Sequence, residues 1–285
     1  MDVNSPSRPL TLLDKADVLD GLLSSWDDIA SLMTDVPDNA WRTPTSLPGW
    51  CVHDVVAHMI GTEETLLGTP IPETDVDVST LDHVRNPIGA MNECWVQHLG
   101  GETGADVLER FRNVTGRRRA VLTAMSDEDW NAQSATPAGP DTYGRFMRIR
   151  TFDCWMHEHD IRDALSQPAT DEDLAGPASR LALDEMMSSM AFVVGKLGKA
   201  PDGARVAIEL TGPLTRTISV AVDGRAGLVA DFGGAEPTTT ITMDGLQFTR
   251  LCGGRPMTTS RPQEIGYGGD DEVGRRIVAN LNYVI

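Results

Sequence analysis

One stretch, Arg150 to Leu165 (RTFDCWMHEHDIRDAL), constrains this chain more than any other. It contains no proline or glycine, and an apolar run at helical spacing leads into it from Phe146, so the segment reads as a helix. On that helix Asp153 and His157 stand one turn apart on the same face, and Asp160 follows on it. Phe146, Ile149, Met156, Ile161 and Ala164 lie on or beside this stripe, while Glu158 and Arg162 fall opposite, on the expected solvent face. Polar side chains thus occupy the stripe that ought to be buried. A buried carboxylate without a partner is costly, so Asp153 must be paired, protonated or bound to a cation. The D-x-x-x-H pair fits two readings. One is an internal Asp–His hydrogen bond in a helical core. The other is a carboxylate and an imidazole biting one metal ion from adjacent turns, the mechanics of helical zinc motifs.

A third ligand would separate these readings, and an earlier helix offers one. After the Pro- and Gly-containing loop Trp41 to Trp50, a helix is expected from Cys51, in the N-cap slot, through about Leu67, with Asp54 in its first turn. His58 shares a face with Cys51, Val55, Thr62 and Thr65. It reads either as an ordinary core histidine or as a ligand pointing toward Asp153 and His157. Three ligands from two helices leave a fourth position open, as in catalytic rather than structural zinc sites. His53 falls on another side and reads as surface, and Arg117, Arg118 and Arg119 read as solvated charge.

Around these two helices the pattern is helical. Leu12 to Met33, Asn86 to Leu99, Ala105 to Met125 and Pro177 to Leu197 carry the apolar periodicity, and Asp127 to Tyr143 reads as loop. Beyond a linker at 198–203 the texture changes. Short β-branched runs, Arg205 to Leu210, Thr215 to Val222, Gly227 to Phe232 and Thr238 to Met243, are followed by helices over Leu246 to Cys252 and Gly274 to Tyr283. The chain contains no phosphate-binding glycine loop and no nucleophile elbow.

The formal charge of −18 argues against nucleic acid and anionic membrane surfaces as partners. Cys51, Cys94, Cys154 and Cys252 form no C-x-x-C pair, the first residues do not resemble a signal peptide, and no apolar run approaches membrane-spanning length. The expectation is a soluble protein of a reducing cytoplasm with free thiols.

The string Pro44-Thr45-Ser46-Leu47-Pro48-Gly49-Trp50, continuing through Asp54-Val55-Val56-Ala57-His58, resembles a signature of the mycothiol-dependent maleylpyruvate isomerase family, actinobacterial members of the DinB-like (YfiT-like) metalloenzyme superfamily. The run Asp153 to Arg162 resembles that family's second signature. ELTGP at 209–213, VDGRA at 222–226 and LCGGR at 251–255 are similar to the sterol-carrier-like domain such proteins append. The resemblance implies an α+β protein: a DinB-like up-down four-helix bundle over residues 8–198 and a small α+β sterol-carrier-like domain over residues 199–285. It implies one divalent metal, usually Zn2+, held at His58, Asp153 and His157, where Asp153 stands in place of the family's glutamate, one methylene shorter. Cys51 stands where the family has serine. Arg255 falls on an arginine that assists turnover. Asp160 is expected either to orient a ligand imidazole or to pair with Arg162, the candidate cofactor-binding residue. Mycothiol, a low-molecular-weight thiol, is the implied cosubstrate.

The function expected is therefore addition of a metal-activated thiolate to a small electrophilic substrate, by an S-transferase or an isomerase. The alternatives are a metal-dependent hydrolase using bound water and a non-catalytic small-ligand-binding module. A monomer or homodimer is expected.

Overall fold

Helix α1, Lys15–Leu32, starts where the Asp14 side chain accepts from the Asp17 N–H, and it buries Leu22, Trp26 and Ile29 along one face. Helix α2, Val52–Leu66, starts at Cys51, whose N–H donates to Asp54 Oδ2 at 2.9 Å. Helix α3, Pro87–Leu99, carries proline in its first turn and an Asn86 cap. Helix α4, Gly104–Ala124, is capped by Thr103. This computed structural model describes residues 9–255 and 264–283, and it divides after Ile161 into two compact units. In the first, α2 packs on α3 and α4, and α1 packs on α4. The close approach of α3 depends on Gly61: a Cβ there would lie 2.2 Å from Trp95 Cγ.

The segment read as loop between α4 and the signature helix holds a short helix α5, Asp127–Asn131, and a two-residue antiparallel ladder of β1, Gln133–Ser134, with β2, Asp141–Thr142. Asp141 anchors it. Its carboxylate accepts from Thr11 N at 2.7 Å, Thr11 Oγ1 at 2.9 Å, Thr142 N at 2.8 Å and Arg145 Nη1 at 3.0 Å. Helix α6, Tyr143–Ala164, follows.

Helix α6 differs from the amphipathic helix expected. Glu158, assigned to a solvent face, is buried, and so are Arg145, Arg148, Arg150, His157, His159 and Asp160. Arg162 is half-buried, with Nη2 3.7 Å from Asp173 Oδ2. A helix this rich in charge is buried on most sides only where the charges find partners on neighbouring elements. His53, expected at the surface, is fully buried beside Trp41. Arg118, expected in solvent, is 1 % exposed, whereas Arg117 is exposed.

In the second unit α7, Asp171–Leu174, and α8, Pro177–Ser188, are followed by α9, Met190–Phe192, which runs into a π-helical turn, Val193–Leu197. The single helix expected over Pro177 to Leu197 is thus broken. A five-stranded sheet has the order β5-β4-β3-β6-β7, with β3 Arg205–Thr211, β4 Arg216–Asp223, β5 Arg225–Val229, β6 Thr239–Asp244 and β7 Gly266–Gly269. Only the β3–β6 pair is parallel. The strand β7 was absent from the sequence reading because Gly-Tyr-Gly-Gly has no β-branched residue. Alternate residues Ile218, Val220 and Val222 of β4 are buried. Helices α10, Gly245–Cys252, and α11, Asp271–Val278, bury Phe248 and Ile277. Within the second unit α8 packs on α10, and α9 packs on β4 and β5.

The four cysteines are free thiols, and among the described residues no helix is long and apolar enough to cross a membrane. The Asp141 carboxyl is held down to about 2: its burial opposes ionisation, but the hydrogen bonds from Thr11, Thr142 and Arg145 outweigh it. A depressed carboxylate contributes stability that is complete above its unfolded value, about 3.9, and lost as pH falls through the folded one. Asp141→Asn is therefore expected to cost about 1–3 kcal/mol near neutrality. In urea titrations the difference between parent and variant should shrink as pH falls toward 2.

Candidate metal centre

Two helices and one loop build the centre. His58 lies near the middle of α2, and Asp153 and His157 lie one turn apart on α6. His58 Nε2 is 3.3 Å from Asp153 Oδ2, and His157 Nε2 is 3.6 Å from Asp153 Oδ1. The two imidazole centroids are 4.9 Å apart. One ligand atom from each of the three residues lies within 4.8 Å of the others. Donors about 2.0–2.2 Å from a tetrahedral zinc stand roughly 3.3–3.6 Å from each other; the two His–Asp separations lie in that range, and the whole set spans up to 4.8 Å.

Protonation makes the fit chemical as well as geometric. Asp160, fully buried, has Oδ2 3.2 Å from His157 Nδ1 and Oδ1 3.4 Å from Ser46 Oγ. In the neutral tautomer that a metal ligand needs, an Asp160 carboxylate accepting from His157 would place the proton on Nδ1. Its Nε2 then turns a bare lone pair toward Asp153 Oδ1, two acceptors facing across 3.6 Å. A cation between them removes that conflict. Asp160 therefore stands within hydrogen-bond reach of the His157 imidazole. Burial pushes the His58 imidazole down from its ordinary value, more than Asp153 pulls it up, which favours the neutral ring a metal requires.

Asp153 is tied to a charge network that the sequence reading missed. Arg150 Nη1 donates to Asp153 Oδ2 at 2.5 Å. The same guanidinium grips Glu63 Oε1, with Nε at 3.0 Å and Nη2 at 2.9 Å. Glu63 Oε2 accepts from Arg118 Nε at 2.8 Å, and Arg118 Nη2 donates to Tyr143 Oη at 3.0 Å. Glu63, Arg118 and Arg150 are all buried. Burial works against the charge on Asp153, but Arg150, helped by His157 and His58, holds its carboxyl well below the usual range. The available signal was the placement of Glu63 and Arg150 among apolar neighbours. Neither belongs to a recognisable motif.

The loop Trp41 to Trp50 supplies a wall. Gly49 adopts φ +82°, and a Cβ there would lie 2.7 Å from His83 Nδ1. That turn delivers Trp50, whose ring is 5.3 Å from His58 and 6.5 Å from His157. Trp50 Nε1 donates to Glu93 Oε2 at 2.9 Å, and His83 Nε2 lies 3.0 Å from the same oxygen. The chain's own thiols are poor nucleophiles here. Burial pushes Cys154 up to about 12 and, with Asp54, also raises Cys51.

Arg162 and Arg255 belong to the second unit. Arg255 follows α10, and its Nη1 donates to the Gly253 carbonyl at 2.7 Å.

Residues 22–162 match the family described as mycothiol maleylpyruvate isomerase N-terminal domain, and residues 180–276 match the MDMPI C-terminal domain. An uncharacterized protein of Mycobacterium tuberculosis (strain ATCC 25618 / H37Rv) is 26 % identical over 189 residues, 66 % of this chain and 70 % of that protein. Its counterpart in strain CDC 1551 / Oshkosh aligns with the same identity and coverage. The crystal structure of a mycothiol-dependent maleylpyruvate isomerase superposes with a TM-score of 0.57 at 14 % identity, covering 86 % of this chain and 90 % of that one. A histidine-to-alanine mutant of that enzyme gives 0.56 at 13 % identity, with the same coverage. At such identity the superposition speaks for the fold.

Asp160→Asn leaves an acceptor for the His157 N–H but removes its charge. The variant is expected to stay folded and to bind zinc about 10–100-fold more weakly, measured by competition with a chromophoric chelator.

Proposed function

Because this chain belongs to the mycothiol maleylpyruvate isomerase family, we propose that it is an enzyme that uses a divalent metal, zinc first among candidates, and mycothiol to modify a small electrophilic substrate, as an S-transferase or an isomerase. His58, Asp153 and His157 are the ligands in this reading. The observation that carries it is the convergence of His58, Asp153 and His157, one ligand atom of each within 4.8 Å of the others, with Asp160 Oδ2 3.2 Å from His157 Nδ1.

When bound, the ion supplies the positive charge that lowers a thiol pKa from about 8.5 toward neutrality and so generates the nucleophilic thiolate. The chain's own groups do the rest. Two neutral imidazoles and one carboxylate leave a net positive charge at the site, which favours an arriving anion. Asp160 keeps His157 in the tautomer that presents Nε2. Trp50, pinned by Glu93, walls one side and limits water. An external thiol is favoured because burial keeps the Cys51 and Cys154 thiols protonated. Roles for Arg255 toward the substrate and Arg162 toward the thiol are carried by the family resemblance. So are the assignment of residues 199–285 to a sterol-carrier-like domain, that of residues 8–198 to an up-down bundle, and a cytoplasmic, actinobacterial setting.

Elemental analysis of protein purified without chelators is expected to find about one zinc per chain in the parent, and little in Asp153→Ala and His157→Ala. Full occupancy in both variants would remove these ligands. With a panel of epoxide, glyoxal and chlorodinitrobenzene substrates, turnover should appear only with mycothiol present. Hydrolysis of a substrate without thiol would instead select a metal-dependent hydrolase.

A further inference from the structure

The charges leading to Asp153 balance without a metal ion. Arg118, Glu63, Arg150 and Asp153 follow one another through the hydrogen bonds described above, two positive and two negative. A carboxylate ligand usually depends on its ion for compensation. Asp153 already has a cation on Oδ2, and that cation is itself clamped by a buried glutamate.

We infer that Arg150 is the resident counter-cation of Asp153. It is a positioning residue that keeps the three ligands assembled when no ion is bound, and it weakens the hold on the ion by sharing the carboxylate. The inference rests on the metal reading above. Its physical basis is a contest between two cations for one acceptor. Arg150 Nη1 occupies Oδ2, the oxygen that also faces His58, while Oδ1 faces His157. A divalent ion at this point meets a carboxylate with part of its charge already used, and a guanidinium within a few ångströms. In a partly desolvated site that repulsion is poorly screened by salt. Glu63 acts in the opposite sense, because its negative charge offsets Arg150 and draws it back from Asp153.

This arrangement makes a prediction that a purely structural network does not. Loss of packing would weaken the site whichever member is changed. Competition between cations gives opposite signs. The test measures the zinc dissociation constant by chelator competition and the zinc-induced rise in thermal midpoint, using the full chain. Arg150→Met should be less stable than the parent without metal, yet bind zinc tighter by about ten-fold or more and show a larger zinc-induced rise. Glu63→Gln should bind zinc more weakly than the parent by a similar factor. Arg118→Met, which touches Glu63 but not Asp153, should lose stability while its zinc affinity stays within about threefold of the parent.

An Arg150→Met protein that folds only when zinc is added supports the inference, since the ion then replaces the missing cation. If that variant folds under neither condition, Glu63→Gln and Arg118→Met decide together: weaker zinc binding by Glu63→Gln beside parent-like binding by Arg118→Met supports the inference, because lost packing would weaken both, and weaker binding by both or unchanged or tighter binding by Glu63→Gln overturns it. Equal or weaker zinc binding by a folded Arg150→Met also overturns it, while leaving the metal site intact. Failure of the parent itself to bind zinc removes the metal reading and this inference together.

Discussion

The buried ion-pair chain through Glu63 and Arg150 is the constraint on which the first unit depends. Glu63 comes from α2, Arg118 from α4, and Arg150 and Asp153 from α6. One carboxylate therefore joins three helices through charge-assisted bonds of 2.8 to 3.0 Å. Removing one member of such a buried pair costs about 3–5 kcal/mol, because the survivor has no water to turn to. That penalty sets the relative rotation of α2 and α6, and the same rotation brings His58 to within 3.3 Å of Asp153. The scaffold and the candidate centre thus share one set of side chains.

This sharing explains why α6 buries so much charge. Several of its groups have tasks that apolar residues could not perform: Arg145 joins Asp141 at the helix entrance, Arg150 balances Asp153, and Asp160 stands against His157 Nδ1. Polar groups in a core are tolerated when every one is satisfied, and they then favour a single arrangement of the helices. The loop before α2 works toward the same end. Its left-handed Gly49 turns Trp50 onto the imidazoles, and Glu93 holds the indole by its N–H.

Chemically, the centre separates the roles of charge and nucleophile. Burial disfavours the thiolate at Cys154 and Cys51, and it lowers the His58 imidazole toward its neutral form. A site of this kind can bind and polarise but has no attacking group of its own. That matches a family defined by a thiol cosubstrate.

Much of this was legible in the amino-acid order. The bounds of α2 and α3, the change from helices to strands and the Asp153–His157 pair follow from periodicity, caps and one-turn spacing, all local properties, whereas the joining of His58 to that pair was implied by the family resemblance. The misreadings share one cause. Glu158, His53 and Arg118 are polar and read as solvated, yet all three are buried: Arg118 is paired with Glu63 of another helix, and His53 is enclosed beside Trp41. The π turn after α9 and the all-glycine-and-tyrosine strand β7 likewise owe their form to neighbours rather than propensity. By itself, then, the sequence determined the long helices α1 to α4 and α6 and which residues have the chemistry to hold an ion. Only the tertiary structure decided that Arg150 and Glu63 stand behind Asp153, because an ion pair across three helices is set by packing between segments far apart in the chain, and no local pattern encodes it.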